Sequence, residues 1–158
     1  MSTAHEKFTL DWLPLRAADH ATEISKLSLQ AYGREAALLG ASDFPPLRET
    51  SLDVQASTHQ FYAAGHADQL CGAVEVIVGE SYLELSRLVV GDGFLRRGVA
   101  SFMLEKLLSE NRDVLWRVDT AQANAPALAL YAGFGFVEVR HWTSSEGYEL
   151  VGLDRVSR

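Results

Sequence analysis

Two short segments combine residue types and spacings that can do chemistry. The first is Gly91-Asp92-Gly93-Phe94-Leu95-Arg96-Arg97-Gly98-Val99-Ala100-Ser101, where a β-rich run gives way to a helical one. A helix N-terminus leaves several N–H groups without partners and carries partial positive charge. Gly98 and Ala100 let the backbone approach a ligand closely, and Arg96 and Arg97 add charge. Such a turn suits a pyrophosphate, although a plain glycine turn would use the same residues. It is neither a GxxxxGK[ST] loop nor a GxGxxG fingerprint. The second segment is Asn124-Ala125-Pro126-Ala127-Leu128-Ala129-Leu130-Tyr131-Ala132-Gly133-Phe134-Gly135-Phe136. Steps of three and four place Asn124, Ala127 and Tyr131 on one helical face. Asn124 is also a natural N-cap with Pro126 in the first turn, and Tyr131 could be a packing residue.

Other chemistry-bearing residues form no set. His5, His20, His59, His66 and His141 are scattered without HExxH-type spacing, so no metal site is expected. Cys71, the single cysteine, falls in a predicted buried strand and is expected to be a packed thiol rather than a nucleophile. No GxSxG elbow is present. Trp12, Trp116 and Trp142 are expected to line the core or a cleft.

The elements that must position these residues follow from periodicity and breakers. Phe8–Leu15 has strand composition. Ala17–Tyr32 carries Ile24, Leu27 and Ala31 at helical spacing. Gly33–Pro46 is expected to be irregular, and a short helix is expected over Leu47–Ser57. His59–Ala64 and Gln69–Val78 form a hairpin across Gly65-His66-Ala67-Asp68, and Ser81–Val90 is a third strand. Gly98–Glu110 is an amphipathic helix with Val99, Ala100, Met103, Leu104, Leu107 and Leu108 on one arc and Phe102 off it. Strand Val114–Asp119, helix Asn124–Ala132 and strands Phe136–Trp142 and Tyr148–Leu153 complete the chain. The order is β-α-α-β-β-β-α-β-α-β-β, an α/β (α+β) domain with a mixed sheet.

On these residues the chain resembles the GNAT acetyltransferase superfamily. That family carries [Q/R]-x-x-G-x-[G/A] after its fourth strand and, about 25 residues later, N-x-x-A-x-x-x-Y-x-x-x-G-F. This chain has Leu95-Arg96-Arg97-Gly98-Val99-Ala100, then Asn124, Ala127, Tyr131, Gly135 and Phe136 at matching spacing. The likeness covers nearly the whole chain, strongest over Leu83–Val139. It implies one domain over residues 1–158, with a mainly antiparallel seven-stranded sheet and about four helices. Leu95 stands where the family has Gln or Arg, and Gly133 where a basic residue often follows the Tyr, so each departure removes one possible contact to cofactor phosphates.

The resemblance implies acetyl-CoA as acyl donor, bound where the fourth and fifth strands splay apart, with direct transfer to an amine. Leu88, Val89 and Val90 would present backbone groups to the pantetheine arm, one N–H polarising the thioester carbonyl. Leu95, Arg96, Arg97, Gly98, Val99, Ala100 and Ser101 would hold the pyrophosphate. Asn124 and Ala127 would flank the pantetheine, and Tyr131 would face the thioester sulfur and protonate the leaving thiolate. Glu84, six residues before Val90, is the expected base, on one face with Ser86, Leu88 and Val90 if the strand is regular; Glu75 and Glu80 are weaker candidates. The acceptor would be set by Ala18–Thr58 and Thr143–Gly147, where Asp43, Glu49 and Glu146 favour a cationic amine, whether small molecule or peptide.

Composition limits the alternatives. The 158 residues carry 14 Lys plus Arg against 21 Asp plus Glu, a net charge of −7. Gly91–Arg117 is +1 and the remainder −8, so the first chemical segment is a basic island. The acidic balance argues against nucleic acid or anionic membrane as partner. No apolar run is long enough to span a bilayer. Met1–Lys7 lack the apolar stretch of a signal peptide, and a single cysteine, Cys71, which can form no internal disulfide, fits an expected reducing, cytoplasmic setting. A homodimer through the closing strands is possible on sequence grounds. Two competing functions stand beside acetyl transfer: a non-catalytic acyl-CoA-binding or sensing domain on the same fold, and an unrelated nucleotide-binding α/β domain.

Overall fold

A computed structural model describes residues 8–156; the expectation about Met1–Lys7, and His5 with it, lies outside the described residues. The elements run β1 (Asp11–Leu15), α1 (Ala17–Leu39), α2 (Ser51–Gln55), β2 (Gln60–His66), β3 (Gln69–Val78), β4 (Tyr82–Val90), α3 (Val99–Glu110), β5 (Leu115–Ala121), α4 (Ala125–Gly133), β6 (Val137–Thr143) and β7 (Glu149–Val156). This is the expected order, with short 3-10 turns added at Pro45–Arg48 and Asp92–Phe94. The strands form one sheet in the order β1-β2-β3-β4-β5-β7-β6. Its pairs are antiparallel except β4 with β5.

The sheet is covered on both faces, and strand alternation decides which residue goes where. Val74 and Val76 on β3 join Met103, Leu104 and Leu107 of α3 and Tyr131 of α4 in the main core, around the fully buried Trp116. Their neighbour Ala73 faces the other way and packs with Leu27 of α1 and Val89 of β4. Gly72 is required by this layering, because a Cβ there would lie 2.8 Å from Met103 Cε and 2.8 Å from the Val89 carbonyl oxygen. Cys71 is buried, and burial pushes its thiol above the ordinary range, with Arg97 pulling the other way. Phe102, off the α3 apolar arc, meets Trp12 edge-on at 6.3 Å. Trp12 itself stacks on Tyr62 at the sheet edge, and Trp142 is exposed, so of the three tryptophans only Trp116 is fully buried.

Three expectations change. Helix α1 does not stop at Tyr32; it runs through Gly33 to Leu39 and ends where Gly40 takes a left-handed φ of +62°. Gly33 is exposed with nothing near its Cβ position, so it weakens the helix by roughly 1 kcal/mol relative to Ala without breaking it. The expected helix over Leu47–Ser57 is a 3-10 turn followed by the shorter α2, started by a Thr50–Asp53 capping box. Finally, β4 is not regular. Glu75 pairs with Arg87 but Val76 pairs with Leu85, leaving Ser86 as an extra residue, a β-bulge.

Candidate active site

The bulge sits where β4 leaves β5. The parallel pairing runs from Tyr82–Leu115 to Leu85–Val118 and goes no further, while β5 stays paired with β7 up to Ala121. Beyond Leu85 the two strands splay. A bulge bends its strand and sharpens its twist, which gives β4 a local reason to diverge. The resulting cleft, about 800 Å³, is lined by β4 from Leu85 to Val90, by Val118, Asp119 and Thr120 of β5, by the second half of α1, and by α4.

The structure brings together nine of the expected cofactor residues along this cleft. Leu88, Val89 and Val90 form one wall, Leu95, Arg96 and Ala100 stand at the mouth, and Asn124, Ala127 and Tyr131 come from α4. Four others lie nearby but do not line it. Gly98 caps the N-terminus of α3 in a left-handed conformation (φ +79°) with open space at its Cβ position. Ser101 is exposed, Val99 is buried, and Arg97 lies over the Phe8 ring at 3.7 Å. Arg96 also has a positive φ of 60°, so the turn presents its backbone tightly coiled beside the helix N-terminus, a geometry suited to an anion. Asn124 serves as N-cap, its side-chain oxygen accepting from the Ala127 N–H at 3.3 Å.

Tyr131 is a buried polar group at the cleft. Its ring packs against Phe136 at 5.5 Å. Burial pushes its hydroxyl well above the ordinary tyrosine range, with the charge of Glu35 adding to the effect. Tyr131 therefore stays protonated at any physiological pH and can donate.

Glu84 occupies a different place from the one expected of a regular strand. It pairs with Ile77, as Arg87 pairs with Glu75 and Val89 with Ala73. The bulge thus puts Glu84 in phase with Arg87 and Val89 rather than with Leu88 and Val90, and it is not among the cleft-lining residues. Glu75 is buried and committed: its carboxylate accepts from Arg87 Nε at 3.1 Å and lies 2.6 Å from His59 Nδ1. Glu80 follows β3 in the loop to β4, and it too is outside the lining.

Arg87 organises the α1 side of the site. Almost wholly buried, it donates to both oxygens of Glu49, at 2.7 and 2.6 Å, and to Ser28 Oγ at 2.7 Å. Burial works against its charge, but Glu49, Tyr32 and Glu75 outweigh it and raise the pKa. A second cleft of about 550 Å³ opens here and shares Tyr32, Ser86 and Arg87 with the first. Tyr32 is pushed up to about 12, chiefly by burial. Two carboxylates expected to face a cationic acceptor are already paired: Glu49 with Arg87 and Asp43 with Arg48. Glu146 accepts from Ser145. The Tyr148 hydroxyl donates to the Asp43 carbonyl at 2.6 Å, tying the β6–β7 loop to the segment before α2.

Arg34 and Glu35 fall within the segment expected to set the acceptor, Ala18–Thr58, but their place on a helical cleft wall was not legible, because the expected helix ended at Tyr32. Arg34 donates to the Val90 carbonyl at 2.6 Å and pairs with Asp92. Their signal was the helical continuation past Gly33, which a single glycine concealed. No helix among the described residues is long and apolar enough to cross a membrane, and among them no three His, Cys, Asp or Glu residues gather as metal ligands.

Comparison with known proteins follows the same outline. The model of a family described as acetyltransferase (GNAT) domain matches residues 32–154. The chain is 30% identical over 139 residues to UPF0157 protein YqkA of Bacillus subtilis, an alignment that covers 87% of this chain and 40% of that protein. It therefore spans well under half the length of that relative. It is 30% identical over 90 residues to the PanD regulatory factor of Salmonella typhimurium, covering 56% of this chain and 70% of that protein. Among solved structures, PaiA N-acetyltransferase from Thermoplasma acidophilum in complex with coenzyme A superposes with a TM-score of 0.73 at 13% identity, over 94% of this chain and 99% of the other.

Proposed function

The chain belongs to the GNAT acetyltransferase family, and from that premise we propose that it transfers an acetyl group from acetyl-CoA directly to an amine. The observation that carries this reading is the splay of β4 from β5 beyond Leu85–Val118, with the buried Tyr131 in the lining of the resulting cleft. The residues present fit the donor. The free edge of β4 offers backbone groups along Leu88–Val90, and the coiled turn with Arg96, Gly98 and the start of α3 suits a pyrophosphate. The exposed Leu95 and the Gly133 position supply no charge there, so the phosphates rest on backbone amides and Arg96. Bound acetyl-CoA supplies an activated thioester.

The rest is work for the protein's own groups. An N–H of Val89 or Val90 polarises the carbonyl oxygen as charge develops on it. The Tyr131 hydroxyl, protonated at working pH, gives a proton to the departing thiolate. Asn124 and Ala127 flank the arm of the donor, and the α1 and α2 side admits the amine. Incubating the protein with acetyl-CoA and a panel of amines tests the reading. Thiol release that depends on the amine supports it, and tight acetyl-CoA binding without turnover on any amine contradicts it.

That second result would favour an acyl-CoA-binding or sensing role on the same fold. The similarity to a protein named a regulatory factor is the observation on its side. The unrelated nucleotide-binding domain falls away with the family assignment.

A further inference from the structure

Five carboxylates line the two adjoining clefts: Glu35 and Asp119 in one, Glu49, Asp53 and Glu75 in the other. Four of them are occupied. Glu49 and Glu75 hold Arg87, Asp119 lies 3.4 Å from Arg140, and Asp53 closes its capping box with Thr50. Glu35 has no hydrogen-bond or ion-pair partner among the described residues, although it is half-buried on the α1 wall of the splay. A carboxylate placed in a cleft without a partner has lost solvation and gained nothing in return. A cationic ligand arriving there would supply the missing interaction.

We propose that Glu35 is the group that receives the acceptor amine, pairing with its ammonium and then taking up its proton. The proposal rests on the acetyl-transfer reading and names the acceptor class, a primary amine that is cationic at neutral pH. Glu35 faces the splay from α1, on the side of the sheet where Val89 and Arg87 point. Tyr131 enters the same cleft from α4, on the other layer. The thioester carbonyl held along β4 would lie between a proton acceptor and a proton donor.

The protons balance with these two groups. The Glu35 carboxylate removes one proton from the ammonium, freeing the nitrogen lone pair. The C–N bond forms and the C–S bond breaks. A second proton leaves the nitrogen, and the thiolate gains one through the Tyr131 hydroxyl, which is restored. Glu35 then releases its proton to solvent. Burial pushes the Glu35 carboxyl above the ordinary carboxylate range, which makes it a better base than a solvated glutamate. Its charged and titratable neighbours along the cleft are Tyr32 and Arg34 on α1, Arg87 on β4, Arg96 in the turn, Asp119 on β5 and Tyr131 on α4.

The test compares wild type, Glu35→Gln and Glu35→Asp with spermidine, lysine and an alanine-initiated peptide as amines, following thiol release against pH. Acetyl-CoA affinity and a thermal melt check that each variant is folded. On an amine that wild type acetylates, Glu35→Gln is expected to lose about 10²–10⁴-fold in kcat/KM at neutral pH, with acetyl-CoA binding unchanged. Its remaining rate is expected to climb with pH toward the amine's own pKa near ~10.4, since only the free base then reacts. Glu35→Asp is expected to recover part of the loss. Transfer that Glu35→Gln leaves within about twofold, with the wild-type pH profile, overturns the assignment of Glu35 alone. No transfer by wild type to any amine, with acetyl-CoA bound, overturns the acetyl-transfer reading and this proposal with it.

Discussion

Tyr131 and Glu35 show two ways in which one cleft sets the protonation of a side chain. Burial holds the Tyr131 hydroxyl protonated, so removing the oxygen removes a donor and little packing. Tyr131→Phe is expected to lower kcat by about 10²-fold while the Kd for acetyl-CoA stays within about twofold, read by calorimetry beside a turnover assay. Burial also disfavours the ionised form of Glu35, and this has a sign in stability. The folded pKa is raised above the unfolded value, so between those two values the folded state binds more protons than the unfolded one. Stability therefore falls as pH rises through that window. Glu35→Gln is expected to melt higher than wild type at pH 7, with the difference closing below the ordinary glutamate pKa of about 4.3. A lower melting temperature for the variant at pH 7 would contradict that cost. Asn124, Ala127 and Tyr131 could be found from spacing because three- and four-residue steps survive in a helix whatever surrounds it. The place of Glu84 could not, because one extra residue at Ser86 reverses the phase of the strand and nothing in Leu85-Ser86-Arg87 announces a bulge.

The same contrast holds among elements. Helix α3 and the strands β3, β4 and β5 followed from apolar periodicity, since each buries a continuous face. Gly33, a poor helix former, ends the helix expected from sequence at Tyr32, yet α1 continues to Leu39 and builds the cleft wall that carries Arg34 and Glu35. Packing outweighed a propensity cost of roughly 1 kcal/mol. With nothing near its Cβ position, Gly33→Ala is expected to stabilise the protein by about 0.5–1 kcal/mol, read by urea denaturation. The opposite is expected at Arg87, which fastens β4 to α1, β3 and the segment before α2 through Ser28, Glu75 and Glu49. Arg87→Leu would leave the buried Glu75 with only His59 beside it and the part-buried Glu49 without its cation, at a cost of about 3–5 kcal/mol. The same denaturation curves would show it, and a loss below 1 kcal/mol would mean that the network does not hold these elements together. Tertiary networks of this kind join residues far apart in the chain, so no local pattern reveals them.

For the molecule as a whole, two helical layers enclose a sheet that opens along one line, between β4 and β5. In sequence, the rest of the chain, at −8, flanks the +1 stretch Gly91–Arg117, whose turn borders that opening. A polyanionic donor at the basic turn and a cationic acceptor at Glu35 would meet at the Leu88–Val90 edge. Direct transfer makes the joint outcome of this arrangement measurable in one reaction. The protein is mixed with acetyl-CoA labelled in the acetyl group and a primary amine, and the label is followed by mass spectrometry while free thiol is counted. The account predicts that the label appears in an amide of the added amine, matched one for one by released thiol, and that neither product forms without the protein. Label remaining in intact, protein-bound acetyl-CoA with every amine supplied would contradict it.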